Sequence, residues 1–288
     1  MDTPVSRTSV QNAVESIRTL PTLPSIVLRV IEEASNPDAS ALDLARHIAT
    51  DQSLSAALLR VVNSAYYGFY RRISTVVDAV VILGFLEVRD LVLAATAFDL
   101  LPGDSTSFDR VQLWRHSLAV AIAAERVSRT NKLPLQRGYY TAGLLHDVGK
   151  VVFNLLFPKL YAQAVEKAHA DSCPIRVVED ALFECNHAAT GAMLAEHWNL
   201  PAPVVNAIRN HHQPEQSDED ADIAHVTALA DFIAYEAGLG ETSSGRAPDP
   251  PETPIQVLGY SAESCKQLSE SIAESRGRID ALLGVLSP

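Results

Sequence analysis

Cysteine, positive charge and long apolar runs are all scarce in this chain, and each scarcity excludes something. The three cysteines, Cys173, Cys185 and Cys265, are scattered along 288 residues with no Cys-x-x-Cys pair. They offer no metal-binding spacing and suit a reducing compartment. Lys and Arg number 23 against 35 Asp and Glu, a formal charge of −12, so a nonspecific grip on nucleic-acid phosphates has no electrostatic support. The one short basic cluster is Arg71–Arg72. The longest apolar runs, such as residues 91–97, fall well short of a membrane span. The opening twenty residues contain no apolar core of signal-peptide type, so the expected location is the cytoplasm, away from membranes. Glycine-rich phosphate loops, a Ser-His-Asp nucleophile motif and internal repeats are also missing.

What is present is globular and helical. Apolar residues make up 47% and charged residues 20%, a balance that argues against disorder. Val27, Val30, Ile31 and Ala34 recur at helical spacing behind Pro21 and Pro24, which are placed to open a helix. Ser40 is a candidate N-cap for "ALDLARHIA", and Ser53 for "LSAALLRVV". The valines of "STVVDAVVILG" would also suit a strand, but Ser74 as cap, Asp78 in the first turns and Gly84 as terminator favour a helix. Helical stretches continue through "LEVRDLVLAATAFDLL" and, after "PGDST", through "FDRVQLWRHSLAVAIAAERVSR", "YYTAGLLHDVGKVVFNLL" and "YAQAVEKAHA". They go on through "IRVVEDALFECNHAATGAMLAEHW", "PAPVVNAIRNHH" and "IAHVTALADFIAYEAG" to a terminal helix near Ala262–Leu286. The simplest architecture is all-α, with a seam near residues 101–107.

Seven side chains of ligand type stand in these apolar helical stretches: His116, His146, Asp147, His187, His211, His212 and Asp231. Each alone has an ordinary reading. A single helical histidine is a surface or hydrogen-bonded residue, the His211–His212 doublet would cap a helix end, and Asp231 would face solvent. Together they are costly to bury uncompensated, and a divalent cation offsets that cost for several at once. Imidazole with carboxylate suits a transition metal, Fe, Mn, Zn or Ni, rather than Ca or Mg. Seven candidates exceed what one ion accepts, which makes a two-ion site reasonable, with the two oxygens of Asp147 able to bridge. His47, His169, His197 and His225 are set aside as structural or surface residues.

Residues 20–105 resemble the first half of an HDOD domain, the HD-related output domain of bacterial signalling proteins, through "LPTLPSIVLRVI", "DQSLSAALLRVVNSAYYG" and "ISTVVDAVVILGF". The resemblance continues through "LWRHSLAVA", "AGLLHDVGK", "HAATGAMLAEHWNLP" and "AIRNHH", about residues 15–285 in all. It implies an all-helical fold with an N-terminal helical subdomain, 15–105, on an HD-like metal-binding subdomain, 106–285. It also implies kinship with the HD phosphohydrolases, including the HD-GYP phosphodiesterases of cyclic di-GMP. By that resemblance His116, His146, Asp147 and Asp231 would hold one metal, and His187, His211 and His212 a second, bridged by Asp147. One or two ions are expected, Fe or Mn first. Lys150 would contact a substrate phosphate; the alternative is a solvated lysine at a helix end. After "NHH" the chain reads "QPEQSDED", without the Gly-Tyr-Pro segment of the HD-GYP branch.

Two functions follow as expectations. One is a bacterial regulatory module that binds a signalling protein or a nucleotide-like small ligand, with a structural or sensory metal. The other is a metal-dependent phosphohydrolase, most simply a phosphodiesterase, with Asp147 and Lys150 in its machinery. The aromatic and basic stretch "NSAYYGFYRR" is a candidate docking face for a protein partner; the alternative is that Tyr66, Tyr67, Phe69 and Tyr70 fill the seam between the subdomains.

Overall fold

The structure, a computed structural model, describes residues 20–286 apart from residues 35, 37, 66, 102–107, 135–136, 218–219 and 241. The fold is all-α: among the described residues there is no strand, and an isolated bridge joins Pro174 and Gly245. The chain divides into two compact units, Pro21–Leu100 together with Ser275–Pro288, and Leu101–Glu274.

The first unit holds α1 (Ser25–Ala34), α2 (Ala41–Ala49), α3 (Gln52–Val62), α4 (Val76–Leu83), α5 (Phe85–Leu100) and, from the far end of the chain, α16 (Arg276–Leu286). α5 is its spine, buried at every residue from Val88 to Phe98, and α1, α3 and α16 pack on it. Ser40 caps α2 as expected, accepting from Asp43 N–H. The expected caps of the next two helices are corrected. Asp51 rather than Ser53 caps α3, accepting from Leu54 N–H, and Thr75 rather than Ser74 caps α4, accepting from Asp78 N–H. In both cases the cap is the extended residue whose side chain reaches a free N–H three residues on. Gly84, at φ 85°, ends α4 where a side chain would be strained.

The second unit holds α6 (Arg110–Thr130), α7 (Tyr139–Leu145), α8 (Val148–Leu156), α9 (Pro158–Ala170), α10 (Ile175–Phe183), α11 (His187–His197), α12 (Ala202–Asn210), α13 (Ala221–Glu236), α14 (Glu252–Val257) and α15 (Ala262–Glu274). α6 packs against α7 and α13, while α11 packs against α8 and α12. Three stretches read as continuous helices are broken here. "YYTAGLLHDVGKVVFNLL" is interrupted at His146–Asp147, and the stretch from Ile175 is interrupted at Glu184–Asn186. The terminal helix is interrupted at Ser275, so α16 belongs to the first unit although sequence placed residues 106–285 together. Hydrophobic periodicity is blind to such short breaks, because it reads the spacing of apolar residues and not the backbone hydrogen bonds that define a helix end. "PGDST" lies outside the described residues.

Small residues set how closely the helices approach. A Cβ on Gly149 would stand 2.0 Å from the carbonyl oxygen of His187, and one on Gly143 would stand 2.9 Å from Cα of Ala121. Gly149 thus lets the start of α8 lie against the start of α11, and Gly143 lets α7 lie against α6. Those two contacts bring Asp147 beside His187 and His146 beside His116.

Candidate metal centre

All seven candidate ligand residues converge in the second unit, where three overlapping groups of ligand atoms form. These are His116, His146 and Asp231; His146, Asp147 and His211; and His187, His211 and His212, each set of atoms lying within 4.8 Å. His47, His169, His197 and His225 belong to none of them. His116 lies mid-α6, fully buried, and Asp231 lies mid-α13.

The other ligands sit at helix ends, where the local chemistry aims them. His146 follows the last residue of α7 and donates Nδ1–H back to the Gly143 carbonyl at 2.8 Å. His211 does the same after α12, donating to Ile208 O at 2.8 Å. Each thereby fills a carbonyl that the helix end leaves open. His116 donates Nδ1–H to Leu239 O at 3.1 Å, just past the turn that ends α13. His187 opens α11, and Glu179 of α10 accepts both its backbone N–H (2.9 Å) and its Nδ1–H (2.6 Å) on one oxygen, Oε2. A histidine that donates through Nδ1 keeps its Nε2 lone pair for something else. All four turn Nε2 inward.

Asp147 joins the groups. It stands at the N-cap position of α8, yet its carboxylate caps nothing. Oδ1 lies 3.2 Å from His187 Nε2 and 3.8 Å from His211 Nε2, while Oδ2 lies 3.3 Å from His146 Nε2 and 3.9 Å from His116 Nε2. Lys150 donates to Oδ2 at 2.7 Å and to Ser244 Oγ at 2.9 Å. The solvated reading of this lysine is corrected: it is only 2% exposed. Burial alone would raise the Asp147 carboxyl, but His146, Lys150 and His187 hold it well below the usual range. Burial pushes His211 down to about 3, helped by the charge of His146, and pushes His212 well down too, helped by His211. His187 goes the other way: burial opposes the proton, yet Glu179 and Asp147 outweigh it and raise the group to about 9.

Four buried polar atoms face the centre with no hydrogen-bond partner among the described residues: Nε2 of His116, His146 and His211, and Oδ1 of Asp231. His116 Nε2 and Asp231 Oδ1 lie 3.0 Å apart, and His187 Nε2 lies 2.8 Å from His212 Nε2. Acceptors so close repel unless a cation or proton stands among them, and each left unsatisfied costs about 1–3 kcal/mol. Neighbouring nitrogens about 3 Å apart are also what metal–nitrogen bonds near 2.0–2.1 Å produce. The donor set therefore fits divalent metal.

A cavity of about 250 Å³ opens onto these ligands and onto Lys150. Arg176, Tyr235, Ser244 and Arg246 also line it; sequence reasoning missed all four, although Tyr235 falls four residues after Asp231 on α13, while the other three lie outside the helices that carry the ligands. Glu179 was missed as well. A signal for it exists, since it falls four residues after Ile175 and four before Phe183, on the buried stripe of α10.

Comparison with known proteins places this arrangement. The HDOD domain family model matches residues 20–214. The chain belongs to the HDOD family. An HDOD domain protein of unknown function from Geobacter sulfurreducens is 29% identical, with a TM-score of 0.79 over 96% of this chain and 98% of that one. A Marinobacter aquaeolei protein named for signal transduction is 25% identical, with a TM-score of 0.80 over 98% of this chain and 66% of that one. An uncharacterized protein of Treponema pallidum is 32% identical over 220 residues, 76% of this chain. This HDOD chain spans 42% of the length of that relative. No described helix is long and apolar enough to cross a membrane.

Proposed function

We propose that this HDOD protein is a bacterial signal-transduction protein whose HD-type centre holds two divalent transition-metal ions, Fe or Mn ahead of Zn or Ni. The observation that carries the reading is the set of buried, unpartnered ligand atoms on His116, His146, His211 and Asp231, all facing one centre. His116, His146 and Asp231 would hold one ion, His187, His211 and His212 the other, and Asp147 both. The regulatory role rests on the family and on the Marinobacter aquaeolei protein named for signal transduction, and its partner would be a signalling protein or a nucleotide-like ligand.

A second reading, a phosphohydrolase acting on a nucleotide or cyclic nucleotide, has its own support. The cavity reaches the ligand atoms and is lined by Lys150, Arg176 and Arg246 as well as by Asp147, Asp231 and Asp249, with Lys150 bonded to Asp147 and Arg246 to Asp249. Such a lining suits a phosphate-bearing ligand. When bound, a divalent metal supplies a hydroxide near neutral pH and an electrophile for phosphate oxygens. In this chain Asp147 would join the two sites, Lys150 would neutralise a phosphate oxygen and hold Asp147, and the Nδ1 contacts would keep each imidazole turned inward.

Metal analysis with a substrate panel tests both readings. Protein purified without chelator should carry about one to two transition-metal ions per chain, and His146→Ala with Asp147→Ala should abolish them. Unchanged metal content in that double variant would sink the assignment. The panel should hold cyclic dinucleotides, cyclic mononucleotides, nucleoside phosphates and a chromogenic phosphodiester, each with Mn and Fe. Metal-dependent turnover that Asp147→Ala abolishes makes the enzyme reading the primary one; metal-loaded protein without turnover leaves regulation alone.

A further inference from the structure

The two proposed ligand sets differ in charge. His116, His146 and Asp231 include a carboxylate of their own and share Asp147. His187, His211 and His212 are three neutral imidazoles that share only Asp147, and that carboxylate also accepts from Lys150. A dication in the second set is therefore short of negative charge in its immediate surroundings. One buried anion stands directly behind it. Glu179 is fully buried, its Oε2 accepts both donors of His187, and its Oε1 accepts from Tyr161 Oη at 3.3 Å. Among the described residues its ion-pair partner is His187. An ionised carboxylate in so dry a place is expensive unless positive charge lies close by.

We infer that Glu179 is a positioning residue of the second metal site, acting through His187 on two counts. This rests on the two-ion reading above. Its carboxylate fixes the ring so that Nε2 faces the site, since backbone N–H and Nδ1–H are held by the same oxygen. It also supplies the negative charge that three neutral imidazoles lack, and a carboxylate on the far nitrogen makes an imidazole a stronger donor. The first site has no such arrangement, because the Nδ1 groups of His116 and His146 go to backbone carbonyls.

The two counts separate by substitution. Glu179→Gln keeps an oxygen for both donors of His187 but removes the charge; Glu179→Ala removes both. Equilibrium dialysis of chelated, full-length protein against a Mn(II) series, with metal counted per chain, should show two binding steps in the wild type. Glu179→Gln should leave the first step in place and weaken the second by about 10–100-fold, the usual cost of losing a supporting group behind a metal ligand. Glu179→Ala should weaken the second step further. Far-UV circular dichroism and the thermal midpoint of the chelated form check folding, and Glu179→Gln carries the test if Glu179→Ala does not fold. General loosening would weaken both steps alike, so equal weakening of the two overturns the inference. So does a second step unchanged in Glu179→Gln and Glu179→Ala. A wild type that never shows a second step overturns the two-ion reading itself and the inference with it.

Discussion

Lys150 shows how one side chain is bound to two tasks by its place. It sits three residues after Asp147, so the α-helix returns it to the same face, and its ammonium reaches Asp147 Oδ2 at 2.7 Å and Ser244 Oγ at 2.9 Å. The same group lines the cavity beside the ligands. A buried ammonium with a carboxylate on one side and a cavity on the other is suited to an anion that arrives through the cavity. Lys150→Ala should therefore weaken binding of inorganic phosphate to metal-loaded protein by about 10–100-fold, the scale of a lost charged hydrogen bond. Metal content should be retained. Isothermal titration with phosphate checks this, and unchanged affinity would remove Lys150 from the ligand site.

At the scale of elements, the centre depends on helix ends and on how near they can come. His146, Asp147, His187 and His211 all stand at helix boundaries, where backbone groups need outside partners and side chains have freedom to turn. Gly149 and Gly191 mark the place where α8 and α11 meet, for a Cβ on Gly149 would also stand 2.8 Å from Gly191 N. Gly149→Ala must push the two helices apart, at a cost of about 1–3 kcal/mol for an overpacked contact. It should also drive His187 away from Asp147, so the metal count per chain should fall along with the thermal midpoint. A variant that loses neither would mean that the α8–α11 approach does not set the site. The stretch after α3 behaves differently. Tyr67 donates to Glu87 at 2.6 Å and stacks on Phe69, whereas Tyr70 is fully exposed and Arg71 and Arg72 are exposed beside it. Of the proposed docking stretch, Phe69, Tyr70 and the two arginines are thus the side chains open to a partner, and Tyr66 lies outside the described residues.

For the whole molecule, the histidines make metal-free stability depend on pH in two opposite ways. His187 is raised to about 9, so the stability it contributes is complete below its unfolded value near 6.5 and is lost as pH rises through about 9. His211 is lowered to about 3 and His212 is also lowered, so both are held neutral in the fold while the unfolded chain takes up protons. Their cost grows as pH falls below about 6.5. Chelated protein should accordingly have its highest thermal midpoint near pH 6.5 and fall away on both sides. Reloading with Mn(II) should raise the midpoint and flatten the alkaline side, because the proton on His187 is displaced when metal binds. Differential scanning calorimetry between pH 5 and 9.5 checks it. Against burial, Asp147 and Asp231 raise His146 as well, so an alkaline slope that is the same with and without metal would take both His146 and His187 out of the metal site.

The sequence alone determined the all-α class, most helix positions and the seven ligand candidates. Each of those is written in local terms: apolar spacing, capping residues, and His and Asp types placed where burial would be costly. It did not determine where "YYTAGLLHDVGKVVFNLL" breaks or that α16 joins the first unit. Glu179 and the buried state of Lys150 were equally hidden. These are decided by contacts between different elements, eight residues apart for Glu179 on His187 and far apart in the chain for Leu239 on His116 and Ser244 on Lys150. Tertiary packing alone brings such partners within hydrogen-bonding distance, and only that distance makes an ordinary helical histidine an oriented ligand.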